Sequence, residues 1–417
     1  MAVADIVRER AARAKRASVA LAEASSEQRN EALTRSAELL QKRRSKIMRA
    51  NAIDLEGGTA KGLSPPMIDR LTVTDARLEE MARGLQEVAE LADPVGRVLE
   101  EWTRPNGLRI TKVSVPLGVV GIIYESRPNV TVDAAGLCLK AGNGCLLRGG
   151  SEAINSNLAL GAVMQEGLRD AGLPEEAVEM VPTTDREAVA AMARLDEFLS
   201  LIVPRGGEAL IRAVAESATV PVIKHHRGLT HIYLDRSCDV AMAVAIVHNA
   251  KVQRPGVCNA VETLLVHQGN EAALRAVVED LLAAGVEIRG DERCQAVSHQ
   301  VKPATEEDWD TEYLALTISV RVVASVEEAL EHIRRYSSGL SEAIVTDDEA
   351  NGERFLREVD SACVYVNAST RFTDGGQFGL GAEIGISTDK FHARGPMGVR
   401  ELTSYKYVIH GNGQVRT

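Results

Sequence analysis

The sequence predicts an α/β protein with two doubly wound domains, and three observations predict it. Continuous apolar, strand-like runs alternate with helical stretches from Val119 onward. The same rhythm restarts after Gly228, which places a domain boundary there. Of the 417 residues, 45% are hydrophobic but only 3% aromatic, so the cores rest on Val, Leu, Ile and Ala, as in parallel sheets covered by helices.

Taken in order, the chain up to Leu91 reads as helices. Ser25-x-x-Gln28 has the pattern of a capping box. Ser64 before Pro65 offers a cap and a first-turn proline. Leu71, Leu78, Met81, Leu85, Val88 and Leu91 recur at helical spacing, and Pro94 and Gly96 close the segment. Val98 to Val115 alternates loosely about Arg104-Pro105-Asn106-Gly107, as in a hairpin projecting between larger units. Val119 to Tyr124 reads as a strand buried on both faces, Val130 to Lys140 as a helix and Cys145 to Leu147 as a second strand. Ser151 can cap a helix running to about Ala171, with Gly172 as its stop. Val178–Val181, Leu199–Val203 and Val220–Ile223 read as further strands. Beyond Gly228 the strands are Ile232–Leu234, Thr263–His267, Val286–Arg289, Val320–Val323, Ala343–Thr346 and Cys363–Val366, with an apolar helix over Val240–Asn249.

The net charge of −11 argues against nonspecific nucleic-acid binding and leaves any anionic substrate to local arginines. No apolar run reaches the length of about 18 residues that a membrane span needs, and Met1 to Ala50 lacks the apolar block of a secretion signal. The six cysteines, Cys138, Cys145, Cys238, Cys258, Cys294 and Cys363, form no C-x-x-C pair, which suits reduced thiols in a cytoplasmic enzyme. There is no H-E-x-x-H. His225 and His226 are adjacent and would point to opposite faces of a strand, so no metal site is expected.

Gln253-Arg-Pro-Gly-Val-Cys-Asn-Ala260 stands out for chemistry. A Pro-Gly turn precedes Cys258, and a helix starting at Asn259 would put unsatisfied N–H groups beside the thiol. Those groups and Arg254 would favour a thiolate, and the N–H groups could hold an oxyanion. The competing reading is a small buried cysteine after an ordinary turn. Two strand-end loops read as anion sites. In Leu147-Arg-Gly-Gly-Ser-Glu152, Arg148 and the helix opening at Ser151 could hold phosphate, and an arginine there suits the 2′-phosphate of NADP. The competing reading is a surface arginine beside a plain Ser cap. In Pro204-Arg-Gly-Gly207, Gly206 and Gly207 would let backbone approach a pyrophosphate. G-x-G-x-x-G and Walker-type loops are absent, and Gly379-Leu-Gly381-Ala-Glu-Ile-Gly385 has the wrong spacing for a dinucleotide fingerprint.

Tyr124–Thr131, Leu147–Glu152, Val203–Gly207, Gln253–Ala260 and Asn367–Gly385 together carry a resemblance that spans nearly the whole chain. It resembles the gamma-glutamyl phosphate reductases of proline biosynthesis, within the aldehyde dehydrogenase superfamily. The resemblance implies an aldehyde dehydrogenase-like fold. Its nucleotide-binding domain would cover residues 1–97 and 118–228, and its catalytic domain residues 229–396. A small β oligomerisation element would cover residues 98–117 and 397–417, around Trp102 and Tyr405–Ile409, and so imply a homo-oligomer. It also implies NADPH as cofactor, with Arg148 and Ser151 at the adenosine ribose and Glu312 at the nicotinamide ribose. Cys258 becomes the nucleophile, with its own N–H and Ser126 or Asn129 at the oxyanion. Arg127, Arg254 and Arg371 are candidates for the substrate's phosphate and α-carboxylate, since arginine binds such groups bidentately. Functional coupling to glutamate 5-kinase follows as an expected partnership.

Two departures bear on the reaction. Acid-forming aldehyde dehydrogenases carry a glutamate general base where the chain enters the catalytic domain. Val222-Ile-Lys-His-His-Arg-Gly228 has no carboxylate, which favours acyl phosphate reduction over hydrolysis. Conversely, Leu340 stands before Ser341-Glu342, where the reductase signature usually has histidine. The rival readings are a coenzyme A-acylating aldehyde dehydrogenase and a non-catalytic scaffold on the same fold.

Overall fold

A computed structural model describes residues 2–224 and 227–416, so the His225–His226 pair lies outside the described residues. The chain divides into two compact units. One is Met1–Lys224 with Gly379–Gly385 and Met397–Thr417; the other is His225–Phe378 with Ile386–Pro396.

The first unit opens with helices α1 (Val3–Glu23), α2 (Ser26–Lys42), α3 (Arg44–Ala60), α4 (Pro65–Leu71) and α5 (Asp75–Glu90). The capping box at α2 forms as expected: Gln28 N–H donates to Ser25 Oγ at 3.3 Å, and Ser25 N–H to Gln28 Oε1 at 3.0 Å. The apolar series from Leu71 to Val88 is two helices, not one. Leu71 ends α4, and Thr74 caps a fresh start at α5. Ser64 contributes no side-chain cap, and Pro65 alone marks the start of α4. Strands β1 (Val98–Thr103) and β2 (Arg109–Pro116) form the expected antiparallel hairpin, with Gly107 at φ +88° in its turn.

A βαβ run follows: β3 (Val119–Tyr124), α6 (Asn129–Lys140), β4 (Gly144–Arg148), α7 (Ile154–Asp170), β5 (Val178–Met180), α8 (Glu187–Ala193), β6 (Leu201–Arg205) and α9 (Glu208–Ser217). The strands are parallel in the order β5-β4-β3-β6. β3 is buried at every position, and each such aliphatic side chain contributes roughly 1.5–3 kcal/mol. The winding reverses at β3: β4 and β5 lie to one side, β6 to the other. Two expectations fail locally. Val220–Ile223 is no strand, because Pro221 lacks a ladder N–H and Val222 makes only an isolated bridge to Ile202. Ser151 caps nothing; it opens a 3-10 turn, Ser151–Ala153, ahead of α7.

In the second unit come β7 (Thr230–Leu234), α10 (Val240–Val252), β8 (Val261–His267), α11 (Glu271–Ala283), β9 (Glu287–Gly290), α12 (Glu292–Gln295), β10 (Lys302–Pro303), β11 (Thr317–Val323), α13 (Val326–Tyr336), β12 (Ser341–Val345), α14 (Glu349–Glu358) and β13 (Cys363–Val366). The strands make a parallel sheet in the order β10-β9-β11-β8-β7-β12-β13. Ile232, Leu264, Val320 and Ala343 pack on α10 and α11, while Tyr233, Leu265 and Ile344 meet Leu330 and Phe355 on the other face. The chain then runs through β14 (Gly385–Ser387) and β15 (Gly395–Met397) to β16 (Thr403–His410), which pairs antiparallel with β2 and completes the sheet β1-β2-β16.

Among the described residues, no helix is long and apolar enough to cross a membrane. No group of three or more His, Cys, Asp or Glu side chains among them could hold a metal ion.

Candidate active site

The six cysteines carry thiols, and five of them are buried; Cys258 alone is half-buried. Burial pushes the Cys238 thiol up to about 11, and Cys294 also rises above the ordinary thiol range. These five suit packing, and Cys258 is the accessible nucleophile candidate. It sits in the loop between α10 and β8, at the amino edge of the second unit's sheet. No helix starts at Asn259, contrary to expectation. Ala260 N–H closes a turn onto Val257 O at 3.0 Å, and the β-branched, apolar run from Val261 then enters buried β8. A helix N-terminus is therefore not what would favour a thiolate here.

Side chains and backbone from distant segments hold the loop instead. Thr230 Oγ1 donates to Cys258 O at 3.2 Å. Gly228 presses against the Cys258 backbone so closely that a Cβ on it would lie 2.2 Å from Cys258 O. Gly228 N–H donates to Glu312 Oε1 at 2.9 Å, and Arg227 binds the backbone O and carboxylate of Asp310. Glu312 is thus beside the Cys258 loop, within one hydrogen bond of Gly228.

Arg371 lies against the same loop. Its Nε donates to Gln253 Oε1 at 3.0 Å and its Nη1 to Asn259 Oδ1. Asn259 Nδ2 donates to Thr373 O at 2.7 Å, and Thr370 Oγ1 to Asn259 O at 2.8 Å. Burial and the neighbouring charge of Arg254 push the Arg371 guanidinium below its ordinary range, while Asp374 and, less strongly, Cys258 act the other way. Arg254, Arg371 and Cys258 therefore share one electrostatic environment. Leu340 is fully buried, and its carbonyl accepts from Cys363 N–H.

The other expected residues belong to the first unit. β3 aligns Ile123 with Arg148 on β4 and Tyr124 with Arg205 on β6. The loops after these three strands therefore meet at the carboxyl edge, where open α/β sheets bind ligands. Gly206 and Gly207 open α9, and Gly207 N–H donates to Glu125 Oε2 at 2.9 Å. A carboxylate thus already holds an anion's position there. Arg148 is buried, and its Nη2 donates to Thr184 O and Asp185 O at 3.2 and 3.4 Å. Its Nε is buried with no hydrogen-bond partner, as is Asn157 Nδ2, and a Cβ on Gly149 would lie 2.0 Å from the latter. Unmet donors, an arginine and a glycine-lined strand end fit a nucleotide phosphate.

Ser126 has φ +40°, and both its N–H and hydroxyl donate to Glu152 Oε1 at 2.7 and 2.5 Å. Burial opposes the charge on Glu152, but hydrogen bonds led by Ser126 outweigh it and hold the carboxyl below its ordinary range. Ser151 Oγ reaches Glu152 Oε2 at 3.4 Å. Asn129 begins α6 and donates to Asp133 Oδ2 at 2.9 Å. The Ser126 hydroxyl is thus taken by Glu152, whereas the Asn129 amide commits one of its two N–H donors to Asp133. Arg127 lies in the same β3–α6 loop, in a different unit from Arg254 and Arg371.

Sequence reasoning missed Asn259, Thr373, Gly228 and the buried Lys251–Glu262 pair around Cys258. Nothing in the sequence sets Lys251 and Glu262 apart from ordinary charges, and Thr373 carries no signal either.

Parallel sheets in both units, with a half-buried cysteine ahead of β8 in the second, fit the class of the aldehyde dehydrogenases. Residues 1–298 match the profile described as Aldehyde dehydrogenase family. The gamma-glutamyl phosphate reductase of Caldanaerobacter subterraneus subsp. tengcongensis is 55% identical over 408 residues, covering 98% of this chain and 99% of that protein. That of Geobacillus kaustophilus is 53% identical over 409 residues, covering 98% and 99%. The crystal structure of gamma-glutamyl phosphate reductase from Thermotoga maritima superposes with a TM-score of 0.97 at 50% identity, covering 99% of this chain and 100% of that one. The chain belongs to the gamma-glutamyl phosphate reductase family, a branch of the aldehyde dehydrogenases.

Proposed function

We propose that the chain reduces L-glutamyl 5-phosphate to L-glutamate 5-semialdehyde and phosphate, with NADPH, as a step of proline biosynthesis. Family membership at this identity supports the reaction. The single observation that carries the mechanism is Cys258: the one half-buried cysteine, on a loop clamped beside Arg254 and Arg371.

Cys258 Sγ attacks the acyl carbon, a C–S bond forms, and the C–O bond to phosphate breaks with phosphate leaving. Arg254 and Arg371 neutralise the phosphate, and the Cys258 N–H holds the oxyanion. NADPH, when bound, supplies the hydride that converts the thioester to a thiohemiacetal. Collapse of that adduct returns the Cys258 thiolate and releases the aldehyde. Arg148, Ser151, Gly206 and Gly207 would hold the cofactor's adenosine and phosphate end, and Glu312 its nicotinamide ribose. The absence of a carboxylate from Val222–Gly228 suits a thioester that must outlive water.

The substrate is an acyl phosphate, so a kinase acting on a carboxylate must supply it; this underlies the proposed coupling to glutamate 5-kinase. The exposed Trp102, Tyr405, Tyr407 and Ile409 on the β1-β2-β16 sheet support association between copies of the chain. A reducing compartment such as the cytoplasm suits the six thiols.

The test is an assay in the reverse direction, with semialdehyde, NADP and inorganic phosphate. NADP reduction that needs phosphate supports the reading. Reduction that needs coenzyme A instead would favour the acylating alternative, and none with either would favour the scaffold.

A further inference from the structure

Lys251 and Glu262 form an ion pair buried beneath the nucleophile loop. Lys251 lies in the last turn of α10 and Glu262 near the start of β8, so together they bracket the segment that carries Cys258. Lys251 Nζ is 2.8 Å from Glu262 Oε2, with side-chain exposures of 0% and 1%. Burial pushes Glu262 up to about 7 and pushes Lys251 down, while each partner offsets the shift of the other. Burying two charges this way is a weak route to stability, because desolvation offsets most of the attraction. A positional role is the better explanation.

The pair reaches further than the loop. Glu262 Oε1 accepts from Leu314 N–H at 3.2 Å, and Leu314 has φ +51°, a left-handed conformation unusual for leucine. Gly256 lies under the same residue, with a Cβ position 3.5 Å from Leu314 O. Two residues earlier, Glu312 accepts from Gly228, which packs on the Cys258 backbone. A closed circuit results: Lys251, Glu262, Leu314, Glu312, Gly228, the Cys258 loop and back to Lys251.

We propose that the Lys251–Glu262 pair is a positioning element that sets the Cys258 loop and the Glu312 segment in one fixed relation. The proposal rests on the assignment of Cys258 as nucleophile and Glu312 as cofactor contact. Neither charged group touches substrate; both act through the loop and segment they hold. The salt bridge fixes the two ends of the loop, and the bond to Leu314 holds Glu312 where its carboxylate meets Gly228.

The test compares the wild type with the double variant Lys251→Met/Glu262→Met and the single variant Glu262→Gln. Apolar replacement of both partners commonly leaves stability near its starting value, whereas removing one does not. Three quantities are read: the thermal midpoint, the rate at which iodoacetamide alkylates Cys258, and kcat and KM for NADPH. The double variant is expected to melt near the wild type with a changed alkylation rate, a raised NADPH KM, and kcat/KM lower by about 10²-fold, as for other sub-ångström-to-ångström misplacements of reacting groups. Alkylation rate and kcat/KM both within about twofold of wild type would overturn the proposal and leave the pair a packing feature. Glu262→Gln keeps an acceptor for Leu314 N–H but not the ion pair. It should change alkylation and kcat while sparing the NADPH KM. If it moves none of them, the proposal fails even where the double variant does not fold. Alkylation needs no substrate, so an inactive wild type would sink the reductase reading while the alkylation rates still judge the ion pair.

Discussion

The two units place their candidate site residues at opposite kinds of sheet edge. In the first, the loops after β3, β4 and β6 meet at the carboxyl edge, at the point where the winding reverses. In the second, Cys258 precedes β8, Gly228 precedes β7 and Glu312 precedes β11, so the proposed nucleophile lies at the amino edge. The general rule for open α/β sheets finds the first region and not the second. The difference has a physical counterpart in how each region is held. The first mixes backbone and side-chain donors that face acids or carbonyls: Gly207 N–H on Glu125, Ser126 on Glu152, Arg148 on Thr184 and Asp185. The second is a loop with no helix dipole, clamped by Arg371, Asn259, Thr230 and Glu312. Single side chains should therefore matter more in the second region, and graded losses should mark the first.

The largest effect tests that contrast at its extreme. Cys258→Ala should lower kcat by at least about 10³-fold, as loss of a nucleophile does, while NADPH affinity measured by fluorescence titration stays unchanged. Next, Arg371→Ala removes a charge-assisted contact of about 1.5–3 kcal/mol. It should raise the acyl phosphate KM by about 10- to 100-fold without moving the NADPH KM. A shift in the NADPH KM instead would place Arg371 at the cofactor and not at the acyl phosphate. Arg148→Gln should do the reverse, raising the NADPH KM by about tenfold with little change for NADH. Equal losses with both cofactors would remove its role at the 2′-phosphate.

A smaller effect concerns the segment before Glu312. Burial opposes the charge on Asp308, but hydrogen bonds from Thr305, Arg289 and Tyr313 outweigh it and hold its carboxyl at about 2, against an ordinary 3.8. Its folded value is depressed, so its stabilisation is full above pH 3.8 and is lost as the pH falls towards 2. Asp308→Asn should flatten the acid limb of a urea-unfolding series over that window. The smallest effect is Ser25→Ala, which removes the α2 cap. It should destabilise by about 1 kcal/mol, seen as a lower thermal midpoint, and leave both KM values unchanged.

Features written locally were legible: the Ser25 box, the hairpin about Gly107, the apolar run of β3 and the Pro-Gly turn before Cys258. Those that depend on distant segments were not. Asn259 was expected to start a helix, but it bonds Arg371 across 112 residues, and the strand preference of Val261 onward decides the local structure. Val220–Ile223 looked like a strand by composition, and one proline removed the ladder. Ser126 was legible as a polar residue near a strand end, but nothing in its neighbourhood announced that Glu152 would engage both its donors. Lys251 and Glu262 look like ordinary charges until the fold buries them together.

The central claim is that Cys258 carries the acyl group. Mixing the protein with L-glutamyl 5-phosphate in the absence of NADPH, quenching in acid and mapping peptides by mass spectrometry tests it most directly. The account predicts phosphate release and a glutamyl adduct on the peptide containing Cys258, discharged by NADPH and absent from Cys258→Ala. Turnover with no adduct, or an adduct on another residue, would contradict it.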